Sequence, residues 1–275
     1  MTSTAQKIGM LGAGNMAGAL IRGLLAAKTV APENLRASDP REDRLRELSD
    51  SHGIGTTTFN DALVRWADVV VVAVKPQVLP TALGQVGGEL GGKLVISIAA
   101  GVTTASLAQL TAPGTRVIRT MPNTAAIARA GATAIAAGPN ASTADLDLAR
   151  ELFDSVGRSV VVGESLLDAV TGLSGSGPAY VMLFIEGLAD GGVKAGLPRD
   201  VALTLAAQTV YGAAKLLVEQ GEHPARLKDM VTSPGGTTIC GVAELERVGI
   251  RHACISAVEA ATNRSVELGR GAATK

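Results

Sequence analysis

Short, nearly continuous apolar runs alternate with amphipathic stretches through the first half of the chain. Ile8–Leu11 precedes residues 17–27, and Leu35–Ser38 precedes residues 41–48, the βαβ rhythm of strands joined by crossover helices. Further strands are predicted at 69–74, 94–98 and 116–119. Each is apolar almost throughout, as expected when helices cover both faces of a parallel sheet. Residues 132–137 and 159–162 read as edge strands around a helix over 143–153. The predicted product is a mostly parallel, doubly wound sheet ending near Val162.

After Gly163 the period changes from two to three and four. Val181, Phe184, Ile185 and Leu188 share one helical face, and Leu203, Ala206, Ala207, Val210, Ala214 and Leu217 form a long apolar stripe on a helix ending near Gln220. Between them Gly196-Leu197-Pro198 reads as a stop followed by a start. Helices are also predicted over 239–247 and 251–268. The chain therefore divides, by pattern, into an α/β domain over 1–163 and an all-α domain over 164–275. The helical half carries more apolar surface than one protomer can cover, which points to a helical bundle between subunits and a homo-oligomer.

Composition narrows the function. Aromatic residues make up 2% of the 275, and the 25 basic and 25 acidic residues cancel, so neither stacking platforms for nucleic acid nor a polyanion-binding surface is expected. Cys240 and Cys254 form no disulfide framework, and residues 1–7 lack the apolar run of a secretory signal. No apolar run among the strands approaches the roughly 18 residues of a bilayer span. A soluble protein of the reducing cytoplasm, with no membrane segment, is expected. His52, His223 and His252 are scattered and neither cysteine sits in a Cys-x-x-Cys pair, so no metal site is predicted.

Gly12-x-Gly14-x-x-Ala17 follows one strand and opens a helix. That context makes it a dinucleotide fingerprint: the turn is tight, and backbone N–H groups at the helix N-terminus can meet a pyrophosphate. The first domain is thus read as Rossmann-like. Asp39, at the end of the second strand, has two readings, a ribose ligand favouring NAD or the N-cap of the next helix, while Arg41 and Arg44 suit the 2'-phosphate of NADP. Val74-Lys75-Pro76 and the 119–124 segment both follow strands, where open α/β sheets place ligands; Lys75 is alternatively a solvated loop cation. Ser174-Gly-Ser-Gly-Pro-Ala-Tyr180 reads as a flexible loop feeding a helix, with Pro178 near its first turn and Ser176 either its N-cap or a ligand contact. Thr232-Ser-Pro-Gly-Gly-Thr-Thr238 leads into the 239–247 helix. Its accessible N–H groups and hydroxyls suit a small carboxylate, the other reading being a capped interhelical turn. These loops contain no His or acidic residue. A ketone would call for such an acid, whereas an imine nitrogen binds its own proton before hydride arrives.

At these residues the sequence resembles the pyrroline-5-carboxylate reductase family over essentially its whole length. The shared blocks are Gly12 to Met16, Val74-Lys75-Pro76, Ser97-Ile-Ala-Ala-Gly-Val-Thr103, Arg119-x-Met-Pro-Asn-Thr124, Ser174 to Tyr180, His223-Pro-x-x-Leu-Lys-Asp229 and Ser233-Pro-Gly-Gly-Thr-Thr238. The resemblance implies hydride transfer from NADPH or NADH to the imine carbon of Δ1-pyrroline-5-carboxylate, giving L-proline, by dimers with interlocked helical domains that often form rings of dimers. It further implies that Leu11, Gly12, Ala13, Gly14, Asn15, Met16, Ser38, Asp39, Asn60, Val74, Lys75, Pro76 and Ala100 line the cofactor. Ser233, Gly235, Gly236, Thr237 and Thr238 would bind substrate, with Thr238 at the imine nitrogen. Two departures stand out. Ala125 replaces a common Pro, and Asp39 replaces a common Ser or Thr, which weakens the family's usual NADPH preference. The alternatives are a related imine or β-hydroxyacid reductase, for which Lys194 or Lys215 would be the catalytic lysine, and a non-catalytic dinucleotide sensor.

Overall fold

The computed structural model describes residues 4–272; residues 1–3 of the N-terminal stretch lie outside it. In chain order the strands and helices are β1 (Ile8–Leu11), α1 (Asn15–Ala26), β2 (Leu35–Ser38), α2 (Glu42–His52), β3 (Gly55–Thr57), α3 (Asn60–Trp66), β4 (Val69–Val72), α4 (Leu79–Val86), β5 (Leu94–Ser97), α5 (Thr104–Gln109), β6 (Arg116–Met121), β7 (Gly131–Ala137), α6 (Thr143–Asp154) and β8 (Gly157–Val161). The helical series follows as α7 (Leu167–Val170), α8 (Gly177–Lys194), α9 (Arg199–Gln220), α10 (Pro224–Met230), α11 (Thr237–Arg247) and α12 (Ile250–Ala272).

All eight strands form one sheet in the order β3-β2-β1-β4-β5-β6-β7-β8. The first six are parallel; β7 runs antiparallel to β6, and β8 parallel to β7. Alternate residues of β4 enter different cores. Val69 and Val71 join the cluster with Leu20, Leu24 and Phe153, whereas Val70 and Val72 join the one with Leu63, Leu79 and Leu83. This two-sided burial explains the unbroken Val-Val-Val-Val of β4, where each side chain contributes about 1.5–3 kcal/mol of transfer free energy. After β3 the chain crosses back to place β4 on the other side of β1 from β2, so the strand order reverses at β1. A doubly wound sheet has its ligand crevice at such a switch point, beyond the strands' carboxyl ends.

Two compact units are distinguished: residues 4–176 with 259–272, and residues 177–258. The first therefore runs past the expected boundary at residue 163. Leu167 of α7 is fully buried against Ala134 and Ala136 of β7, which ties this turn to the sheet. In the second unit α8 and α9 pack through Ala189, Ala202 and Ala206, small residues that allow close approach.

Two expectations need correction. Residues 174–180 are not a flexible loop: α8 begins at Gly177, and Thr171–Gly175 is a π-helical turn that Ser176 caps, its N–H donating to Thr171 O. Its Thr171 and Ser174 hydroxyls donate to carbonyls one turn back, so side chains stabilise a segment whose Gly and Ser content suggests a coil. Asp39 is not an N-cap, since α2 starts at Glu42 with Arg41 at the cap position. By length and composition alone α9 could cross a bilayer, and 11% of that stretch is buried within the protomer.

Candidate active site

The first cluster forms where β1 meets α1. Gly12 has φ +104°, and a methyl group there would lie 2.9 Å from Ala73 O and 3.0 Å from Val74 Cγ1. Only glycine allows the turn this conformation and this closeness to the end of β4. Gly14 then takes the N-cap position of α1 without any side-chain cap, leaving first-turn N–H groups directed outward. Leu11 is buried, Asn15 exposed and Met16 half-buried against the core.

Across the turn, Asp39 is 7% exposed. Its Oδ2 accepts the Ala13 N–H at 2.9 Å; its Oδ1 accepts the Arg41 N–H at 3.0 Å and Arg41 Nε at 2.9 Å. Burial alone would raise the carboxyl's pKa, but the Arg41 guanidinium and the two backbone donors outweigh it and hold the pKa below the usual range. Beside it, the Ser38 hydroxyl donates to Asn60 Oδ1 at 2.9 Å. Ser38, Asp39, Asn60 and the 12–14 turn are thus brought together, as are Gly12 and Val74. Lys75 and Ala100 are exposed at the ends of β4 and β5, and Pro76 is half-buried. The cradle, with the N–H groups of residues 14–16 facing outward, could hold a dinucleotide pyrophosphate.

One group on this edge went unnoticed in the sequence. Glu164, in the turn after β8, accepts hydrogen bonds from Thr104 N at 2.7 Å, Thr104 Oγ1 at 2.6 Å and Arg119 Nη1 at 3.2 Å. Arg119 and Thr104 are each 5% exposed. The partners lie 60 and 45 residues away, so no local pattern announces them; the sole hint is a charged Arg119 inside an apolar strand.

In the second unit, the 233–236 turn closes with Gly236 N donating to Ser233 O at 3.0 Å, Gly235 at φ +67°. A methyl at Gly236 would fall 2.3 Å from Ser233 Oγ. Thr237 and Thr238 are the first residues of α11, and the first intrahelical bond is Cys240 N to Gly236 O. Ser233, Gly235, Thr237 and Thr238 are exposed within the protomer. Backbone N–H groups, two hydroxyls and the positive end of an eleven-residue helix therefore converge on one exposed turn. His223 caps α10, its Nδ1 accepting the Ala225 N–H at 3.2 Å.

Known proteins share this arrangement. Residues 164–268 match the family described as pyrroline-5-carboxylate reductase dimerisation, and residues 7–101 match the one described as NADP oxidoreductase, coenzyme F420-dependent. A pyrroline-5-carboxylate reductase of Methanosarcina acetivorans is 52% identical over 96% of this chain and 98% of its own. The structure of a pyrroline-5-carboxylate reductase from Coxiella burnetii superimposes with a TM-score of 0.93 at 35% identity, covering 96% of this chain and 99% of that one. The Plasmodium falciparum pyrroline carboxylate reductase, solved with NADP bound, gives 0.85 at 32% identity over 98% and 100%. With so high an identity along almost the entire length of both chains, the protein belongs to the pyrroline-5-carboxylate reductase family.

Proposed function

We propose that the protein is an NAD(P)H-dependent oxidoreductase that reduces Δ1-pyrroline-5-carboxylate to L-proline, the last step of proline biosynthesis. The observation that carries this reading is the Gly235-Gly236-Thr237-Thr238 turn at the start of α11, in a chain belonging to this family. A bound nicotinamide supplies the hydride, which adds to the imine carbon. The chain's own residues bind and orient. The 12–16 turn holds the pyrophosphate by the backbone N–H groups of residues 14–16, with Ser38, Asp39 and Asn60 on the adenosine side and Val74, Lys75, Pro76 and Ala100 toward the other end. The N–H groups of Gly235, Thr237 and Thr238, on the turn that Gly236 N closes onto Ser233 O, hold the substrate carboxylate together with Ser233. Thr238 hydrogen-bonds the ring nitrogen, whose protonation already makes the imine carbon electrophilic, so orientation matters more than acid strength.

Both cofactors are used. The functional unit is a homodimer built on the helical half, and rings of such dimers complete the assembly. The test is cofactor oxidation, followed by absorbance, on adding pyrroline-5-carboxylate; a correctly assembled protein that oxidises none of it overturns the reading. Thr238→Ala lowers kcat/KM by about tenfold to a thousandfold, as for loss of one positioned group, whereas Thr238→Ser keeps most activity. A fully active Thr238→Ala enzyme removes this residue from the mechanism.

A further inference from the structure

Glu164 belongs neither to the 12–16 cradle nor to the 233–238 turn, yet its carboxylate is committed entirely to two other segments of the carboxyl edge. Thr104, which gives it both a backbone and a hydroxyl donor, opens α5 directly after the 98–103 loop that carries Ala100. Arg119 lies in β6 just before the 121–124 segment. The strand order gives these loops their meaning. If the pyrophosphate sits over β1 and the adenosine ribose over β2, the nicotinamide extends the other way, over β4, β5 and β6. The loops leaving β5 and β6 are the ones Glu164 joins.

We propose that Glu164 is a positioning residue: by holding Thr104 and Arg119 it fixes the 98–103 and 121–124 loops that frame the nicotinamide end of the cofactor site. The roots of the two loops are already joined, Thr120 Oγ1 donating to Ser97 O at 3.1 Å. The far side of the 121–124 segment is also held, by Asn123 Nδ2 donating to Ser174 O at 3.0 Å. At the exit of the 98–103 loop Thr103 caps α5, its Oγ1 accepting the Ser106 N–H at 3.1 Å, and Glu164 ties the next residue, Thr104, to β6. Arg119, buried in the sheet, pairs with Glu164, and a buried guanidinium that loses its counter-charge must find water or another acceptor by moving. Burial alone would raise the Glu164 pKa, but the Thr104 hydroxyl and N–H, together with Arg119, hold it below the ordinary value, so the clamp is charged at neutral pH.

The proposal rests on the reductase reading, and its test separates the two. Full-length Glu164→Ala, Glu164→Gln, Thr104→Ala and the Glu164→Ala/Thr104→Ala double variant are compared with wild type by fluorescence titration of NADPH, steady-state kinetics, melting temperature and assembly size. Glu164→Ala should raise the cofactor Kd and KM by about tenfold and lower kcat by about tenfold to a hundredfold, as expected when a loop is displaced near the chemistry. The KM for the imine should stay within about twofold, because the carboxylate is held by another loop. Glu164→Gln, which keeps neutral hydrogen bonds to Thr104 but loses the charge on Arg119, should fall between. The double variant should be no worse than Glu164→Ala, because the two residues act through one contact. Glu164 is merely structural if Glu164→Ala and Glu164→Gln melt earlier but bind cofactor and turn over like wild type well below their melting temperatures. Additive losses in the double variant overturn the proposal equally. Should Glu164→Ala fail to assemble, Glu164→Gln alone decides by the same Kd and kcat criteria. A wild type that binds NADPH but never reduces the imine defeats the reductase reading, while the Kd comparison still decides the role of Glu164.

Discussion

Both carboxylate oxygens of Asp39 are occupied: Arg41 donates to each, and Oδ2 also accepts the Ala13 N–H of the fingerprint turn. In the proposed cofactor site the acid would therefore present the ribose with a neutralised pair instead of a bare charge. Removing it frees the Arg41 cation for a 2'-phosphate and ends a like-charge repulsion, so Asp39→Ser should move the ratio of kcat/KM values toward NADPH by about tenfold, equivalent to about 1.4 kcal/mol. Arg41→Ala should move it toward NADH; kinetics with both cofactors give the answer, and unchanged ratios leave Asp39 as a brace for the turn. The same carboxyl links stability to acid. Its folded pKa is depressed, so its contribution is complete above the unfolded-state value and is lost as pH falls through the folded one. In urea titrations, wild type should exceed Asp39→Asn at neutral pH, and the gap should close below about pH 4. The sequence marks Asp39 as facing cofactor or capping a helix. It cannot show the Ala13 bond, because that partner is 26 residues distant and only the sheet brings the two together.

The β1–turn–α1 element gives a sharper case. A side chain at Gly12 must adopt φ +104° and enter the space held by Ala73 O, so Gly12→Ala should cost about 1–3 kcal/mol of stability and weaken cofactor binding at least about tenfold by shifting the turn. Equilibrium unfolding and cofactor titration measure the two separately; wild-type values in both would mean the turn relaxes freely. Elements like this were legible because glycine and apolar strand punctuate each other, and β1, β2, β4, β5 and β6 fall close to where hydrophobicity puts them. The unread elements lack such contrast. β3 is Gly-Thr-Thr, half-buried throughout and at the sheet edge, so no apolar face betrays it. The Thr171–Gly175 turn carries the composition of a loop, and its helical form depends on hydroxyls bonding back to carbonyls and on Gly175 lying against the sheet, where a methyl would come 2.7 Å from Met121 Cε. Glu164 was invisible for the same reason as the Ala13 contact: its partners meet it only in the folded sheet.

At the scale of the molecule the second unit exposes Leu183, Met182, Tyr211 and Ile255 on α8, α9 and α12, all more than half accessible in the lone protomer. Covering them by a second copy makes assembly part of folding, so the melting temperature should rise with protein concentration. Leu183→Asp should shift sedimentation toward monomer and remove most activity with it, and a stable, active wild-type monomer at micromolar concentration would sink the dimer. The apolar length of α9 has a kinetic corollary. A newly made protomer displays a helix as greasy as a bilayer segment until its twin arrives. Pairing is second order in protomer, whereas capture by a chaperone or an unrelated apolar surface is first order. Halving the rate of synthesis therefore lowers the yield of working enzyme by more than half.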